Sequence, residues 1–383
     1  MPKFVEKLLP ELFIILVLVL VAVGVLMTYS SSVYYAEQNY GNEYHFFYRE
    51  LVWVVMGVIA AIIARSVHYQ VVQRLSSWFL LFAIVMLCLV FVPGIGHRVN
   101  NASRWITLAG FTFQPSELAK FAIIIFIADN LARHRRHVAK FFRGVLIPLL
   151  VVMIPVGLIV IEPDLGMPVV IITTVFVMFF VAGTRITYLV LLVVGAIPFG
   201  VLLIMKNPYR IRRLMTFLNP DSDPLGAGFQ INQSLIAICT GQLKGVGLGE
   251  SVQKMHYLPE AHTDFVFSII GEELGFVGAG LLVVLFMLLL LVVYKMTQQI
   301  KDMFGHLVAV GIMTTLGLQA IINIGVVTSC MPTKGLALPF ISYGGSSLIM
   351  TLAACGLLVN IVQNQNNLKR DPTQTNTVDF TIV

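Results

Sequence analysis

Charge is scarce in this chain. Asp, Glu, Lys and Arg make up 11% of 383 residues, against 58% hydrophobic residues, and the mean hydropathy is +0.89. Soluble domains carry about 25% charged residues, so this chain has more apolar surface than one water-facing core can bury. Cysteine is scarce too. Cys88, Cys239, Cys330 and Cys355 stand singly, with no CxxC and no His-associated ligand pattern, which leaves them as packing residues. His256 and His262 are six apart, unlike the HExxH helix pattern, so no zinc site is assigned. Gly245, Gly247 and Gly249 alternate, but no strand precedes them and no P-loop Lys follows. A nucleotide fold is thereby disfavoured, and a flexible turn is expected there.

Long apolar runs are what the chain does have. Stretches near 12–30, 46–65, 77–93, 115–132, 144–161, 166–184, 186–205, 264–294, 307–329 and 337–363 each suit a membrane-crossing helix of about 20 residues. The first lacks a cleavage site of small residues and reads as a retained span. The expected architecture is therefore an all-α polytopic membrane protein of about ten spans. One membrane domain covers 1–370, and a short tail covers 371–383.

The net charge of +6 does not point to nucleic acid, because the basic residues gather in short loops between spans. Arg133, Arg135, Arg136, Lys140 and Arg143 have no acidic residue among them, and Arg65 and Arg74 mark another such loop. The bias of Lys and Arg toward the cytoplasmic side puts these loops inside, with Lys3, Lys7, Lys295, Lys301, Lys369, Arg370 and both termini. Residues 30–44, 97–113, 162–166 and, longest by far, 206–263 are left as extracytoplasmic loops. The long loop opens on Arg210, Arg212 and Arg213, passes an NPDSDP turn at 219–224, and includes a short apolar segment at 229–241. That segment suits a re-entrant or interfacial helix.

Asp264 lies where this loop runs into an apolar helix. A carboxylate at a membrane boundary is costly and needs a reason. One reason is helix-dipole stabilisation at an N-terminus, with Pro259 in the first turn; another is chemistry. Residue physics alone leaves both open.

The strings QPSELAK at 114–120, EPDLG at 162–166, YLPEAHTDF at 257–265, GEELG at 271–275 and PTKGLALPFISYGGSS at 332–347 resemble the SEDS family of polytopic membrane proteins. Within that family the likeness is to the FtsW type of cell division rather than the RodA type of elongation. The resemblance implies a peptidoglycan glycosyltransferase of the bacterial cytoplasmic membrane. It would polymerise lipid II on the outer face at the division septum, beside a class B penicillin-binding transpeptidase and other divisome proteins. The family's essential Asp falls on Asp264, its RWI Trp on Trp105, and its QPSELxK charges on Glu117 and Lys120. Asn101, Met167, Cys239, Gln242 and Lys244 depart from the family's usual letters.

The chemistry can also be argued without the name. A sugar hydroxyl attacks an anomeric carbon while a polyprenyl pyrophosphate leaves, so one base is needed. The leaving group is already an anion and wants cationic stabilisation rather than a second acid. Arg210, Arg212, Arg213, Lys244, Lys254 and Lys334 are candidates for that charge. A divalent cation, Mg2+ or Mn2+, bridging Asp264 or the pyrophosphate is another, with no organic cofactor. Glu117 and Lys120 are spaced to pair on one helix face, as a structural ion pair or as part of a substrate cavity. Of the adjacent Glu272 and Glu273, at most one can face a cavity. Trp105 would stack on a sugar or anchor at the membrane interface. Ser342 and Ser346 would line a headgroup site or allow close helix packing. A lipid flippase working through Glu117 and Lys120 is the competing function.

Overall fold

The computed structural model of the protein describes residues 3–99, 102–108, 111–162, 164–206, 208–219, 226–255 and 257–370. Asn101, His256, most of the NPDSDP turn and the tail 371–383 lie outside the described residues. Each of the ten expected apolar segments contains a helix, although residues 337–344 of the last are not helical: α1 (Lys3–Tyr40), α2 (His45–Ser66), α4 (Ser76–Leu89), α5 (Pro115–Arg133), α6 (Ile147–Ile161), α7 (Gly166–Val181), α8 (Ile186–Met205), α11 (Val266–Gln299), α12 (Met303–Val327) and α13 (Gly345–Arg370). Among the described residues, six helical segments are long and apolar enough to cross a membrane, and 76–89, 166–181 and 186–202 are shorter apolar helices. The α5 helix carries Glu117, Lys120 and Asp129 within its 19 residues.

Three features depart from the sequence reading. First, residues 30–44 are mostly not a loop, because α1 runs unbroken to Tyr40 over 38 residues. At 1.5 Å per residue it is about 57 Å long, well beyond a hydrocarbon core of about 30 Å. Second, residues 96–113 fold into an antiparallel sheet of β1 (Gly96–Val99), β2 (Ala102–Leu108) and β3 (Phe111–Phe113). His97 pairs with Trp105, and Ile106 with Phe113. Strands this short give little periodic signal, which is why hydropathy did not reveal them. Third, the long loop contains two helices. It holds the amphipathic α9 (Pro208–Leu218) and α10 (Ala227–Gly241), the latter over the segment expected to be a short helix.

The α5 helix is the centre of the bundle. From Pro115 to Leu131 nearly every side chain is buried, and α4, α7 and α12 pack around it. A short helix, α3 (Tyr69–Arg74), links α2 to α4.

A break in α11 governs how the long loop is seated. Gly275 has φ 67° and ψ −169°, which no helix accommodates. The backbone groups released there are taken up by residues 242–247 of the long loop. Val246 and Gly247 donate their N–H groups to the Glu272 and Glu273 carbonyls at 3.0 and 3.1 Å, and Phe276 and Val277 donate to Gln242 and Leu243 at 2.8 and 3.2 Å. The glycine alternation is therefore no flexible turn. Gly245 has φ 81°, and a Cβ there would lie 2.1 Å from the Glu273 carbonyl oxygen.

Gly245→Ala combines left-handed strain of roughly 1–2 kcal/mol with that clash. Gly249→Ala meets the strain alone, since Gly249 has φ 84° and open space around it. Thermal unfolding in detergent should place Gly245→Ala clearly below Gly249→Ala; equal midpoints would mean that the contact with α11 is not needed.

Candidate active site

Asp264 sits in a tight turn just ahead of α11. The Glu260 carbonyl accepts from the N–H groups of Thr263 and Phe265, both at 3.2 Å, and from the Thr263 hydroxyl at 3.3 Å. Closing the turn this way holds Glu260 at φ 55°. Phe265 is the N-cap of α11, so Asp264 stands outside the helix and Pro259 is not in its first turn. Dipole stabilisation of a helical residue is therefore not what places this carboxyl.

A second segment, residues 332–336, is brought against Asp264 by α12. The Asn323 side-chain amide donates to the Asp264 carbonyl at 2.8 Å and to the Leu336 carbonyl at 2.7 Å. One side chain thus sets the spacing of two loops. Gly335 lies so close that a Cβ on it would be 2.8 Å from Asp264 Oδ2; any side chain there would displace the carboxyl. On the other side of this segment, Arg213 Nη1 donates to the Thr333 carbonyl at 3.1 Å. The 162–166 loop completes the site. Asp164 Oδ1 accepts from the N–H groups of Gly166 and Met167 at 2.8 and 3.3 Å, and Arg104 Nε donates to the Glu162 carbonyl at 2.9 Å.

The site is a mixture of buried carboxyls and cations. Burial pushes the Asp264 carboxyl up to about 7, Glu260 and Asp164 push it the same way, and Arg213 and Arg104 pull against them. Glu162 is 1% exposed and is raised to about 8, chiefly by burial and then by Asp164. Burial also raises Asp164, against the pull of Arg104. Burial lowers Lys334, while Asp164 opposes the shift. Asp264 is thus a carboxyl that gains and loses its proton near neutral pH, with Arg104, Arg213 and Lys334 within electrostatic reach of it or of Asp164.

The other expected site residues fall into distinct places. Arg210 is half-buried on α9, one turn before Arg213 and on the same face, while Arg212 and Lys244 are exposed. Lys254 is not available as site charge. It is buried, with Nζ 2.7 Å from Glu273 Oε1 and 3.2 Å from the Ser30 hydroxyl, which itself donates to Glu273 at 2.6 Å. Glu272 accepts from the Ser251 hydroxyl and, at 3.0 Å, from the Val252 N–H. Both glutamates of GEELG therefore hold the long loop onto α11.

Glu117 and Lys120 pair at 2.6 Å in the core, and Lys120 also reaches Gln319 at 3.2 Å. Trp105 is half-buried on β2 opposite His97, next to the register irregularity at which the pairing with β1 skips Arg104. The Ser342 hydroxyl accepts from the Leu338 N–H at 2.8 Å. That of Ser346 accepts from the Gln114 N–H at 2.9 Å and donates to the Thr112 carbonyl at 3.3 Å. His262 is packed among Tyr35, Phe46 and Tyr343, and burial lowers its pKa.

The sequence reading did not single out Arg104, Glu162, Asp164 or Asn323. A signal existed for three of them: Arg104 adjoins Trp105, and EPDLG falls in a short loop on the same side as Asp264. Nothing in the sequence marks Asn323, which lies inside an apolar helix.

The FtsW/RodA/SpoVE family model, described as "Cell cycle protein", matches residues 10–367. The chain belongs to that family. It is 44% identical over 352 residues to a probable peptidoglycan glycosyltransferase FtsW from Geobacter metallireducens, covering 90% of this chain and 94% of the relative. Among solved structures it resembles a chain from work described as "Structural coordination of polymerization and crosslinking by a peptidoglycan synthase complex", with TM-score 0.74, 30% identity and coverage of 92% and 97%. It also resembles the rod shape determining protein RodA of Thermus thermophilus, with TM-score 0.68, 29% identity and coverage of 92% and 96%. As a member of this family, the chain is a multi-pass helical membrane protein.

The buried Lys254–Glu273 pair makes its own prediction. Removing one partner of a buried pair costs about 3–5 kcal/mol, whereas replacing both by apolar residues is often neutral. Lys254→Met should lower the unfolding midpoint sharply, and Lys254→Met with Glu273→Leu should recover most of the loss. A double variant no better than the single would show that the pair does not hold the loop.

Proposed function

We propose that this protein is a peptidoglycan glycosyltransferase that polymerises lipid II on the outer face of the cytoplasmic membrane, in septal wall synthesis. The observation that carries the reading is the Asp264 carboxyl: lodged against Gly335, raised to about 7, and within reach of the Arg213 and Arg104 cations. A base with that affinity is half-ionised near neutrality, where general-base catalysis is most effective.

In the proposed step an acceptor sugar hydroxyl attacks the anomeric carbon of the donor, and its proton passes to Asp264. The bond from that carbon to the pyrophosphate oxygen breaks, and undecaprenyl pyrophosphate leaves with the electron pair. Arg104, Arg213 and Lys334, with Arg210 further along α9, would meet the negative charge that develops. Among the described residues, no three His, Cys, Asp or Glu side chains are grouped to hold a metal ion. Asp264 or Asp164 would be the residue to hold Mg2+ or Mn2+, which would add positive charge at the leaving group. The likeness to a chain from a peptidoglycan synthase complex supports a class B transpeptidase as partner. Transport would rest on Glu117 and Lys120, but those two are already paired with each other and with Gln319; the geometry favours polymerisation.

Purified protein, with and without the partner transpeptidase and with and without added Mg2+, should convert labelled lipid II to glycan ladders on a gel. Asp264→Asn and Asp264→Ala should fold, insert and give no ladder; normal polymer from either would remove Asp264 from the chemistry.

The pH dependence has a definite sign. Because the Asp264 pKa is raised to about 7, the carboxyl holds a proton below that value and cannot accept another. In kcat/KM, activity should rise about tenfold per pH unit below 7 and level off above it. A profile flat from pH 5 to 8 would contradict the assignment.

A further inference from the structure

A cluster of aromatic rings lies beside the turn that carries Asp264. Phe46, buried at the start of α2, is its hub, with ring centroids 5.1 Å from His262, 5.1 Å from Tyr343, 5.9 Å from Tyr35 and 5.7 Å from Tyr40. His262 also lies 5.3 Å from Tyr35, and His45 stacks on Tyr40 at 4.0 Å. The inner end of the cluster is fixed. The Tyr343 N–H donates to the His262 carbonyl at 3.0 Å, and the Tyr343 hydroxyl bonds to the side chains of Arg49 and Trp53. His262 is two residues ahead of Asp264, so their Cα atoms are within about 8 Å of each other. The outer end is open: Tyr35 is 41% exposed and Tyr40 53%, both on the last two turns of α1.

The residues around the open end select among occupants. From 34 to 50 the chain has no Leu, Ile, Val or Met, so the rings do not belong to a large aliphatic face that would seat a partner helix or a lipid chain. From 30 to 48 it has no Lys or Arg, and that segment therefore offers no cation to a phosphate headgroup. What accompanies the rings is Glu37, Gln38 and Asn42, all exposed, whose side chains accept and donate hydrogen bonds. Flat apolar ring faces interleaved with carboxylate and amide groups match a ligand that itself alternates apolar faces with hydroxyl groups. That ligand is a carbohydrate.

We propose that Tyr35 and Tyr40 bind the growing glycan strand, their rings stacking on its sugar units beside the Asp264 site. The assignment rests on the polymerase reading above and adds to it a place for the product. A strand held there stays attached between additions, so each encounter yields a longer polymer. His262, Phe46 and Tyr343 touch no sugar in this arrangement; they hold the two exposed rings against the Asp264 turn.

The test uses the full-length protein in detergent and a fluorescent, lipid-free GlcNAc–MurNAc octasaccharide, with binding read by anisotropy. The octasaccharide should bind more tightly than the disaccharide with the same label. Tyr35→Ala and Tyr40→Ala should each weaken it about fivefold, the effect of one aromatic contact, and should shift the lipid II ladder to shorter products. Tyr35→Phe and Tyr40→Phe keep the ring and should keep the binding. Octasaccharide affinity unchanged in both Ala variants, or lost as much in the Phe variants as in the Ala variants, would overturn the proposal. So would Ala variants that keep the octasaccharide but no longer co-purify with the transpeptidase, since the rings would then be a protein-docking face. Asp264→Asn separates the two readings, because it should give no ladder and still bind the octasaccharide. Wild-type protein that binds the octasaccharide through Tyr35 and Tyr40 but makes no ladder would count against the polymerase reading and for the strand site.

Discussion

Backbone polar groups in a membrane protein must be paired, since an unpaired N–H or C=O away from water costs several kcal/mol. That constraint explains the arrangement around Asp264. The α11 helix is interrupted at Gly275, and the released carbonyls and N–H groups would be costly if left alone. The loop at 242–247 supplies their partners. The break and the loop therefore require one another, and the short stretch of helix behind Asp264 is fixed by the loop as much as by the bundle.

The charged contacts reinforce the same anchoring. Ser251 and Val252 hold Glu272, and Lys254 with Ser30 holds Glu273. The loop that carries Asp264 is consequently tied at one end to the break in α11 and to α1. Its other end is tied through Asn323 to α12 and to the 332–336 segment. A carboxyl with a raised proton affinity needs such support, because each neighbour that shifts it must keep its place.

The electrostatic character of the site comes from competition rather than from one dominant partner. Burial and two further carboxylates favour the protonated form of Asp264, and Arg104 and Arg213 favour the ionised form. These contributions come from β2, α9, the 162–166 loop and the turn at 259–265, four stretches far apart in the chain. In the proposed reaction the same cations that moderate the carboxyl would also meet the charge of the leaving pyrophosphate.

Much of this architecture is legible in the chain itself. The ten apolar runs, the helix at 229–241, the pairing of Glu117 with Lys120 and the place of Asp264 at the junction of the long loop and an apolar helix follow from hydropathy and helical spacing, which are local properties. The sequence motifs were also enough to recognise the family. The small sheet, the length of α1, the use of Lys254 and both glutamates of GEELG as anchors, and the grouping of Arg104, Asp164 and Asn323 with Asp264 were not legible. Each of those depends on which surfaces meet when the helices pack. Local composition determines what a segment is in a bilayer; only tertiary packing decides whether a charge is spent on a structural partner or left for substrate.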